Sequence, residues 1–121
     1  MRYVCLIYFD PKKVFDDSPE SNALLAEIGP YNRDIEASGH RVTGAALTLP
    51  EHAMTVQVRD GKMSATDGPF METKEMLGGF IIIEARDLNE AVQVAARDPF
   101  ARIGHIEVRP EVDYSQPRPI L

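Results

Sequence analysis

The sequence predicts an α+β fold in which strands and helices follow the order βαββαβ, with an extra β-hairpin inserted at the centre. Three observations predict this fold. Short β-rich apolar runs recur along the chain, two helical patterns with start signals separate them, and Asp60-Gly61 marks a tight hairpin between two alternating segments. A chain with this order forms an antiparallel sheet with both helices on one face.

Composition limits the size and the partners of the domain. At 121 residues the chain is expected to form one domain with one core. Its formal charge of −6 leaves no basic face to release phosphate counterions, which argues against direct binding of nucleic acid or an anionic membrane. The first apolar run is too short for a signal sequence or a bilayer span, so the expected location is the cytoplasm.

The first strand is predicted over residues 3–9, which are apolar at both odd and even positions. Such a strand is covered on both faces. Cys5 lies inside it, where a small buried thiol is expected rather than a nucleophile, and a single cysteine cannot form a disulfide within one chain. Asp10-Pro11 ends the strand, and residues 12–17 are predicted to be a polar connection.

The first helix is predicted to begin at Ser18, with Pro19 in the first helical position. Apolar residues then recur at helical spacing. Gly29-Pro30 interrupts the pattern, because proline cannot donate its backbone hydrogen bond, so a kink or a break is expected there. Ser38-Gly39 closes the helix, since glycine suits the left-handed position after a helix end.

The next elements are a strand over residues 41–47 and the hairpin. Residues 54–59 alternate between apolar and polar side chains, and Asp60-Gly61 favours a type I′ turn that leads back through residues 62–66. The methionines of this region are predicted to fill the core or an interface rather than to bind a ligand. They are Met54, Met63, Met71 and Met76.

The last helix lies between two predicted strands. Residues 80–85, like the first strand, have apolar side chains at both odd and even positions. Asp87 and Glu90 resemble a capping box, ahead of a helix that Asp98-Pro99 ends. The predicted buried face of this helix consists of Leu88, Ala91, Val92, Ala95 and Ala96.

Residues 105–109 alternate strictly and form the last predicted strand. Ile106 and Val108 are expected to face the helices, with His105, Glu107 and Arg109 on the opposite side. Two helices cannot cover both faces of the sheet, so the uncovered face is predicted to meet the same face of a second copy. Such a homodimer would bury roughly 1,600 Å² or more and enclose a barrel-like interior.

The segment of residues 67–80 carries the most specific motif. Asp67-Gly68-Pro69-Phe70 must turn sharply, because glycine permits a positive φ and proline holds φ near −65°. Glu72-Thr73-Lys74-Glu75 and Leu77-Gly78-Gly79-Phe80 follow. With the hairpin and the ending Glu107-Val108-Arg109-Pro110, these motifs resemble the YCII-related, DGPF-domain family. The predicted domain covers residues 1–110, and residues 111–121 are predicted to be an extended proline-rich arm.

This resemblance implies a ferredoxin-like, dimeric α+β barrel, in agreement with the fold argued from the residues. It also implies dehydrochlorination of aromatic substrates in some relatives, and in one branch a His–Asp pair whose His lies on the first helix. The first helix here has no histidine, and Tyr31 and Asn32 are its nearest polar residues. Only Asp67 therefore matches that pair.

The candidate catalytic residues are Asp67 and His105, with Asp67 orienting His105 as a general base. Arg109 or Lys74 would hold an anionic oxygen of the substrate. The full set of candidate ligand-binding residues is Glu72, Lys74, Glu107 and Arg109. The alternative is structural: Asp67 hydrogen-bonds its own turn, Glu107 and Arg109 form an ion pair across the subunits, and His105 is a hydrogen-bonded interface residue.

Two functions remain open from the sequence. The first is a small-molecule enzyme or binder that acts by acid–base chemistry on a compact aromatic or anionic ligand between two sheets. The second, implied by the resemblance, is a non-catalytic module that works with an extracytoplasmic-function sigma factor. No cofactor is expected, and His40 and His52 show no metal-ligand spacing.

Overall fold

The computed structural model describes residues 1–118 and 121. Within these residues there are six strands and four α-helices, with short 3₁₀ segments at Pro50–His52 and Pro99–Arg102. No helix in the described part of the chain is long and apolar enough to span a bilayer. The elements are β1 (Arg2–Phe9), α1 (Pro11–Val14), α2 (Pro19–Ala26), α3 (Ile28–Ala37), β2 (Arg41–Ala46), β3 (Met54–Arg59), β4 (Lys62–Asp67), β5 (Met76–Glu84), α4 (Leu88–Ala96) and β6 (His105–Pro110).

Four of the strands form one antiparallel sheet in the order β2-β5-β1-β6. The hairpin β3–β4 forms a separate two-stranded sheet. The two central strands of the larger sheet, β1 and β5, are the ones that the sequence predicts to be apolar on both faces. The ferredoxin-like α+β fold with an inserted hairpin is therefore confirmed.

One face of the four-stranded sheet packs under the helices. Odd positions of β1, from Tyr3 to Phe9, are buried there, and Cys5 is opposite both Ile81 of β5 and Val108 of β6. The other side is called here the open face. Register places these residues on it: Val4, Leu6, Tyr8, Thr43, Ala45, Leu77, Phe80, Ile82, His105, Glu107 and Arg109.

The start of the helical layer agrees with its sequence signals, with two differences. Ser18 caps α2 by accepting a hydrogen bond from the Ser21 backbone N–H at 3.1 Å. The predicted break falls at Glu27, so Pro30 lies in the first turn of α3, where a missing N–H is tolerated. The predicted polar connection is wrong in part, because Asp10 and Pro11 begin the short helix α1, whose Val14 is buried.

The hairpin has the predicted turn, since Asp60 and Gly61 both adopt positive φ, at 52° and 73°. Its register places Met54, Val56 and Val58 on one face, and all of these are exposed. Among the methionines predicted to fill core or interface, only Met76 is buried within the chain. Met54, Met63 and Met71 are exposed.

One predicted boundary and one predicted buried face in the second half of the chain are wrong. Strand β5 begins at Met76 rather than Phe80, because Gly78 and Gly79 join the sheet where β1 has an irregular register. Strand propensity disfavours glycine, but pairing with neighbours on both sides overrides it. The buried residues of α4 are Ala91, Val94 and Ala95, so Leu88, Val92 and Ala96 are exposed instead of buried.

The end of the chain stays close to β1 where it leaves the sheet. The Glu111 N–H donates to the Arg2 carbonyl at 2.9 Å, and Asp113 accepts from the Ser115 N–H at 3.0 Å. The predicted extended arm includes residues 119 and 120, which lie outside the described residues. The arm therefore stays a prediction.

Asp98 is a buried carboxyl group beneath the helical layer. It is 4% exposed and accepts a hydrogen bond from the Phe100 N–H at 2.9 Å. Burial raises the pKa of the Asp98 carboxyl group, and the hydrogen bond from Phe100 opposes this only in part. The ionised form is therefore less favourable in the folded protein than in the unfolded chain.

Replacing Gly78 by alanine should destabilise the protein by about 1–3 kcal/mol, the cost of overpacking a core. A β-carbon at this position would lie 2.2 Å from Cε1 of Phe9, whose ring stacks on Phe100 at 4.6 Å between centroids and has little room to move. Urea unfolding measures the difference. The control is Gly29→Ala in α3, which meets only the flexible end of Arg33 at 3.3 Å and should cost nothing. Equal midpoints for Gly78→Ala and wild type would contradict the packing described.

Replacing Asp98 by asparagine should remove a pH-dependent loss of stability. Folding raises the pKa of Asp98. The stability that its protonated carboxyl group contributes is therefore complete below the ordinary carboxyl pKa and is lost as pH rises through the pKa of the folded protein. Asparagine cannot ionise but still accepts the Phe100 N–H. The variant should thus gain stability relative to wild type as pH rises from 4 to 8, measured by urea unfolding at each pH. A difference that does not change with pH would show that Asp98 does not titrate as expected.

Candidate functional site

A cleft with a volume of about 760 Å³ lies at the end of the sheet, on the open face. Tyr8 of β1 and Leu77 of β5 form its floor, and two chain segments form its walls, residues 47–53 and residues 68–73. Most of the lining side chains are apolar, with a few polar groups that include Thr48, Thr73 and Glu72. Such a lining suits a compact, largely apolar molecule that carries a few polar substituents.

Backbone hydrogen bonds at the base of the hairpin hold one wall of the cleft. The Gly68 N–H donates to the Ala53 carbonyl at 2.7 Å, and the Thr55 hydroxyl donates to the Gly68 carbonyl at 2.9 Å. Gly68 has a φ of 97°, which is why this turn requires glycine. The chain then passes through Pro69 into the segment beside the cleft.

His105 and Glu75 form a hydrogen-bonded pair on the open face, and neither residue is part of the cleft lining. The Nδ1 atom of His105 lies 2.7 Å from Oε1 of Glu75, and the His105 side chain is 79% exposed. A carboxylate only accepts, so Nδ1–H is the donor, and in a neutral imidazole Nε2 is then an acceptor that has no partner among the described residues. His105 is also directly opposite Tyr8 across the β1–β6 ladder. The pairing therefore places His105 beside a residue of the cleft floor.

The structure does not bring Asp67 and His105 together. Asp67 ends β4, opposite Met54, is exposed, and has no hydrogen bond or ion pair among the described residues. Glu75 occupies the position beside His105 that was predicted for Asp67. The structural alternative, in which the Asp67 carboxylate accepts a hydrogen bond from its own turn, is not seen either. The Gly68 N–H of that turn donates to the Ala53 carbonyl instead.

The four candidate ligand-binding residues are divided between different places. Glu72 lines the cleft, whereas Lys74 is exposed beside a shallow hollow on its other side. Glu107 and Arg109 lie on the open face of β6 and approach each other at 3.9 Å between Oε2 and Nε. This pair forms within one chain, and both side chains are more than half exposed.

Cys5 and His40 lie outside the cleft lining, whereas His52 belongs to the wall of residues 47–53 and lies beside the lining residue Glu51. Burial, with a smaller effect of the Asp98 carboxylate, raises the pKa of the Cys5 thiol to about 11, so this thiol stays protonated near neutral pH. His40 pairs with Glu90 at 3.3 Å, and His52 lies 3.6 Å from Glu51. Within residues 1–118 and 121, no three histidine, cysteine or acidic side chains are grouped closely enough to hold a metal ion.

Two residues of the site were not among the sequence-based candidates. Tyr8 was treated as part of a doubly covered strand, and Glu75 as one of several charges on a loop. The parity of β1 places Tyr8 on the same face as His105. The contact between Glu75 and His105 spans 30 positions and depends on where β5 begins, which the sequence prediction placed four residues too late.

The sequence profile of the YCII-related domain matches residues 1–114 of the chain. An uncharacterized protein of Rhizobium meliloti (strain 1021) is 32% identical over 113 residues, which cover 91% of each chain. Among solved structures, 5-chloro-2-hydroxyhydroquinone dehydrochlorinase from Burkholderia phenoliruptrix AC1100, in complex with 2,5-dihydroxybenzoquinone, is similar with a TM-score of 0.54. The likeness covers 92% of this chain and 93% of that chain at 18% identity. At this identity the structural likeness shows the fold alone.

Proposed function

The chain belongs to the YCII-related domain family, and from this premise we propose that it binds a compact hydroxylated aromatic molecule in the cleft and moves a proton through His105. The observation that carries the proposal is the His105–Glu75 pair, 2.7 Å between Nδ1 and Oε1, beside a cleft with a largely apolar lining. A base and the residue that orients it then lie beside Tyr8, which forms part of the floor of a space that can take a ring.

The chemistry follows from the open nitrogen of His105. Nε2 accepts the proton of a ring hydroxyl group, which leaves negative charge on the ligand oxygen and positive charge on the imidazole. Glu75 stabilises the imidazolium by accepting its Nδ1–H bond, so the pair goes from a net charge of −1 to neutral as the ligand oxygen becomes negative. The same proton can then return to a ring carbon or to a leaving group, with His105 as the general acid.

The similar solved structure gives independent support for the ligand class. That protein is a dehydrochlorinase acting on a chlorinated hydroxyhydroquinone, and it was solved with a dihydroxybenzoquinone. A ring of this kind is flat, compact and ionisable, as the cleft and the His105–Glu75 pair require. Neither the family match nor this likeness bears on a sigma-factor partner, which stays a prediction.

The proposal includes a homodimer formed through the open face. The central part of this face consists of Leu6, Phe80 and Ile82, apolar residues that no helix covers and that are only half-buried within one chain. Ala53 and Gly68, which flank the hairpin, line the same cleft, and the apolar side of the hairpin is exposed. A second copy placed on this face would cover the cleft, exclude water and strengthen the electrostatic effect of His105.

Replacing His105 by glutamine should weaken binding of 2,5-dihydroxybenzoquinone by about tenfold or more, because a charge-assisted hydrogen bond to the ligand is lost. Isothermal titration calorimetry measures this change. Glu75→Gln should have a smaller effect of the same sign, since the imidazole remains but is less well oriented. The matched control is His40→Gln, which removes the other histidine paired with a glutamate, at Glu90 and outside the cleft. No binding at millimolar ligand, or equal effects of His105→Gln and His40→Gln, would refute the proposed site.

Replacing Leu6 by lysine should convert the dimer to a monomer at micromolar concentration. The new ammonium group would have to be buried at the centre of the apolar interface, without a partner. Light scattering coupled to gel filtration measures the molar mass. Val92→Lys is the control, because Val92 is an exposed apolar residue on the outer side of α4 and its substitution should leave the dimer intact. A wild-type monomer, or a dimeric Leu6→Lys variant, would contradict the homodimer.

A further inference from the structure

A second cavity, with a volume of about 190 Å³, lies on the opposite side of the sheet, between α3 and the helix-facing side of β2 and β5. Its lining includes Tyr31, Asn32, Arg41, Gly44, Ile81 and Asp98. It shares no lining residue with the cleft on the open face. Asn32 and Arg41 are partly exposed, so the cavity reaches the surface at the edge strand β2.

Two buried polar atoms of this cavity have no hydrogen-bond partner among the described residues. They are Oδ1 of Asn32 and Nε of Arg41. Leaving a buried donor or acceptor unpaired costs about 1–3 kcal/mol, and more when the group is charged. One acceptor and one cationic donor without partners among the described residues therefore belong to residues that line the same small space, where water or a ligand can supply partners.

Glycine keeps this space open. A β-carbon at Gly44 would lie 2.7 Å from the Phe80 carbonyl oxygen and 3.1 Å from Nη2 of Arg41. Because Gly44 has no side chain, the guanidinium group of Arg41 can lie close to the backbone of the strand. The volume is far larger than one water molecule needs and smaller than a typical drug-sized site, so it suits a molecule of a few heavy atoms.

The remaining polar groups of the cavity define what such a molecule must present. Arg41 has no carboxylate within 4 Å among the described residues, so its positive charge is not neutralised there. Asp98 accepts from the Phe100 N–H, and the Tyr31 hydroxyl donates to the Val94 carbonyl at 2.8 Å. The ligand must bring an anionic acceptor to Arg41 and a hydrogen-bond donor to Asn32.

We propose that this cavity binds a small carboxylate with a neighbouring hydroxyl or amino group, held by Arg41 at the carboxylate and by Asn32 at the neighbouring group. A guanidinium group recognises a carboxylate through charge-assisted hydrogen bonds. The Asn32 oxygen accepts a hydrogen bond from the ligand's hydroxyl or amino group, which is attached to the carbon next to the carboxylate. This site is independent of the proposed acid–base site, because it lies on the other face of the sheet.

Titration of the ¹⁵N-labelled protein with glycolate and with glycine tests the proposal, followed through the Arg41 Nε–H resonance by heteronuclear NMR. We expect a saturable shift of this resonance with at least one of the two probes. Acetate, which lacks the neighbouring donor, should bind about threefold or more weakly, since one hydrogen bond of roughly 1 kcal/mol is missing. Sodium chloride at equal ionic strength should produce no saturable shift.

Two variants and a matched control separate binding from general charge effects. Arg41→Gln should weaken binding of the better probe by about tenfold or more, and Asn32→Leu by about threefold or more, followed in both through backbone resonances of the cavity. Arg33→Gln removes an exposed arginine of the same helical region, outside the cavity, and should leave binding unchanged. No saturable shift at 50 mM probe, an equal shift with chloride, or unchanged binding in Arg41→Gln would overturn the proposal. Equal affinity for acetate would overturn the role of Asn32.

Discussion

The rest of this structure depends on one mismatch: the central strands of the sheet are apolar on both faces, but the helices cover only one. On the covered side, Tyr3, Cys5, Ile7 and Phe9 of β1 are buried under the helical layer. On the open face, Leu6 and Phe80 are half-buried and have no helix above them. Apolar area of this kind remains unfavourable in water until another surface covers it. The candidate site lies at the end of this same open face, so covering the face and closing the site would be one event.

The sheet separates two polar sites of different character. On the open face, His105 has a carboxylate partner in Glu75 and an unoccupied Nε2 beside an apolar cleft, an arrangement that can accept a proton from a bound ring. On the covered face, Arg41 and Asn32 line a small cavity and each have a buried polar atom without a partner in the described part of the chain, an arrangement suited to binding rather than to proton transfer. The backbone of β5 contributes to both, because Leu77 faces the cleft and Ile81 faces the cavity.

Several parts of the structure could be predicted because neighbouring residues decide them. The caps at Ser18 and Asp87 satisfy backbone N–H groups three residues ahead, and the Asp60-Gly61 turn needs only two residues with positive φ. Asp10-Pro11 carried the same local signal as Ser18-Pro19 and was missed because the helix it starts has only four residues. The outward position of Leu88 and Val92 could not be predicted in this way. The spacing of Leu88 and Val92 fits a buried stripe as well as the spacing of Ala91, Val94 and Ala95 does. The packing of these small residues against the sheet decides which stripe of α4 faces inward.

By itself, the sequence determined the order of the elements, the alternation that places His105, Glu107 and Arg109 on one side of β6, and the membership of a family. Only the tertiary structure decided that Glu75, and not Asp67, meets His105, and that Asn32 and Arg41 share a cavity. The physical reason is the separation along the chain between the residues that interact. Caps, turns and strand parity depend on bonds between residues a few positions apart, whereas a contact across 30 positions depends on strand register. Register is set by the whole sheet, including the irregular pairing beside Gly78 that no local pattern shows.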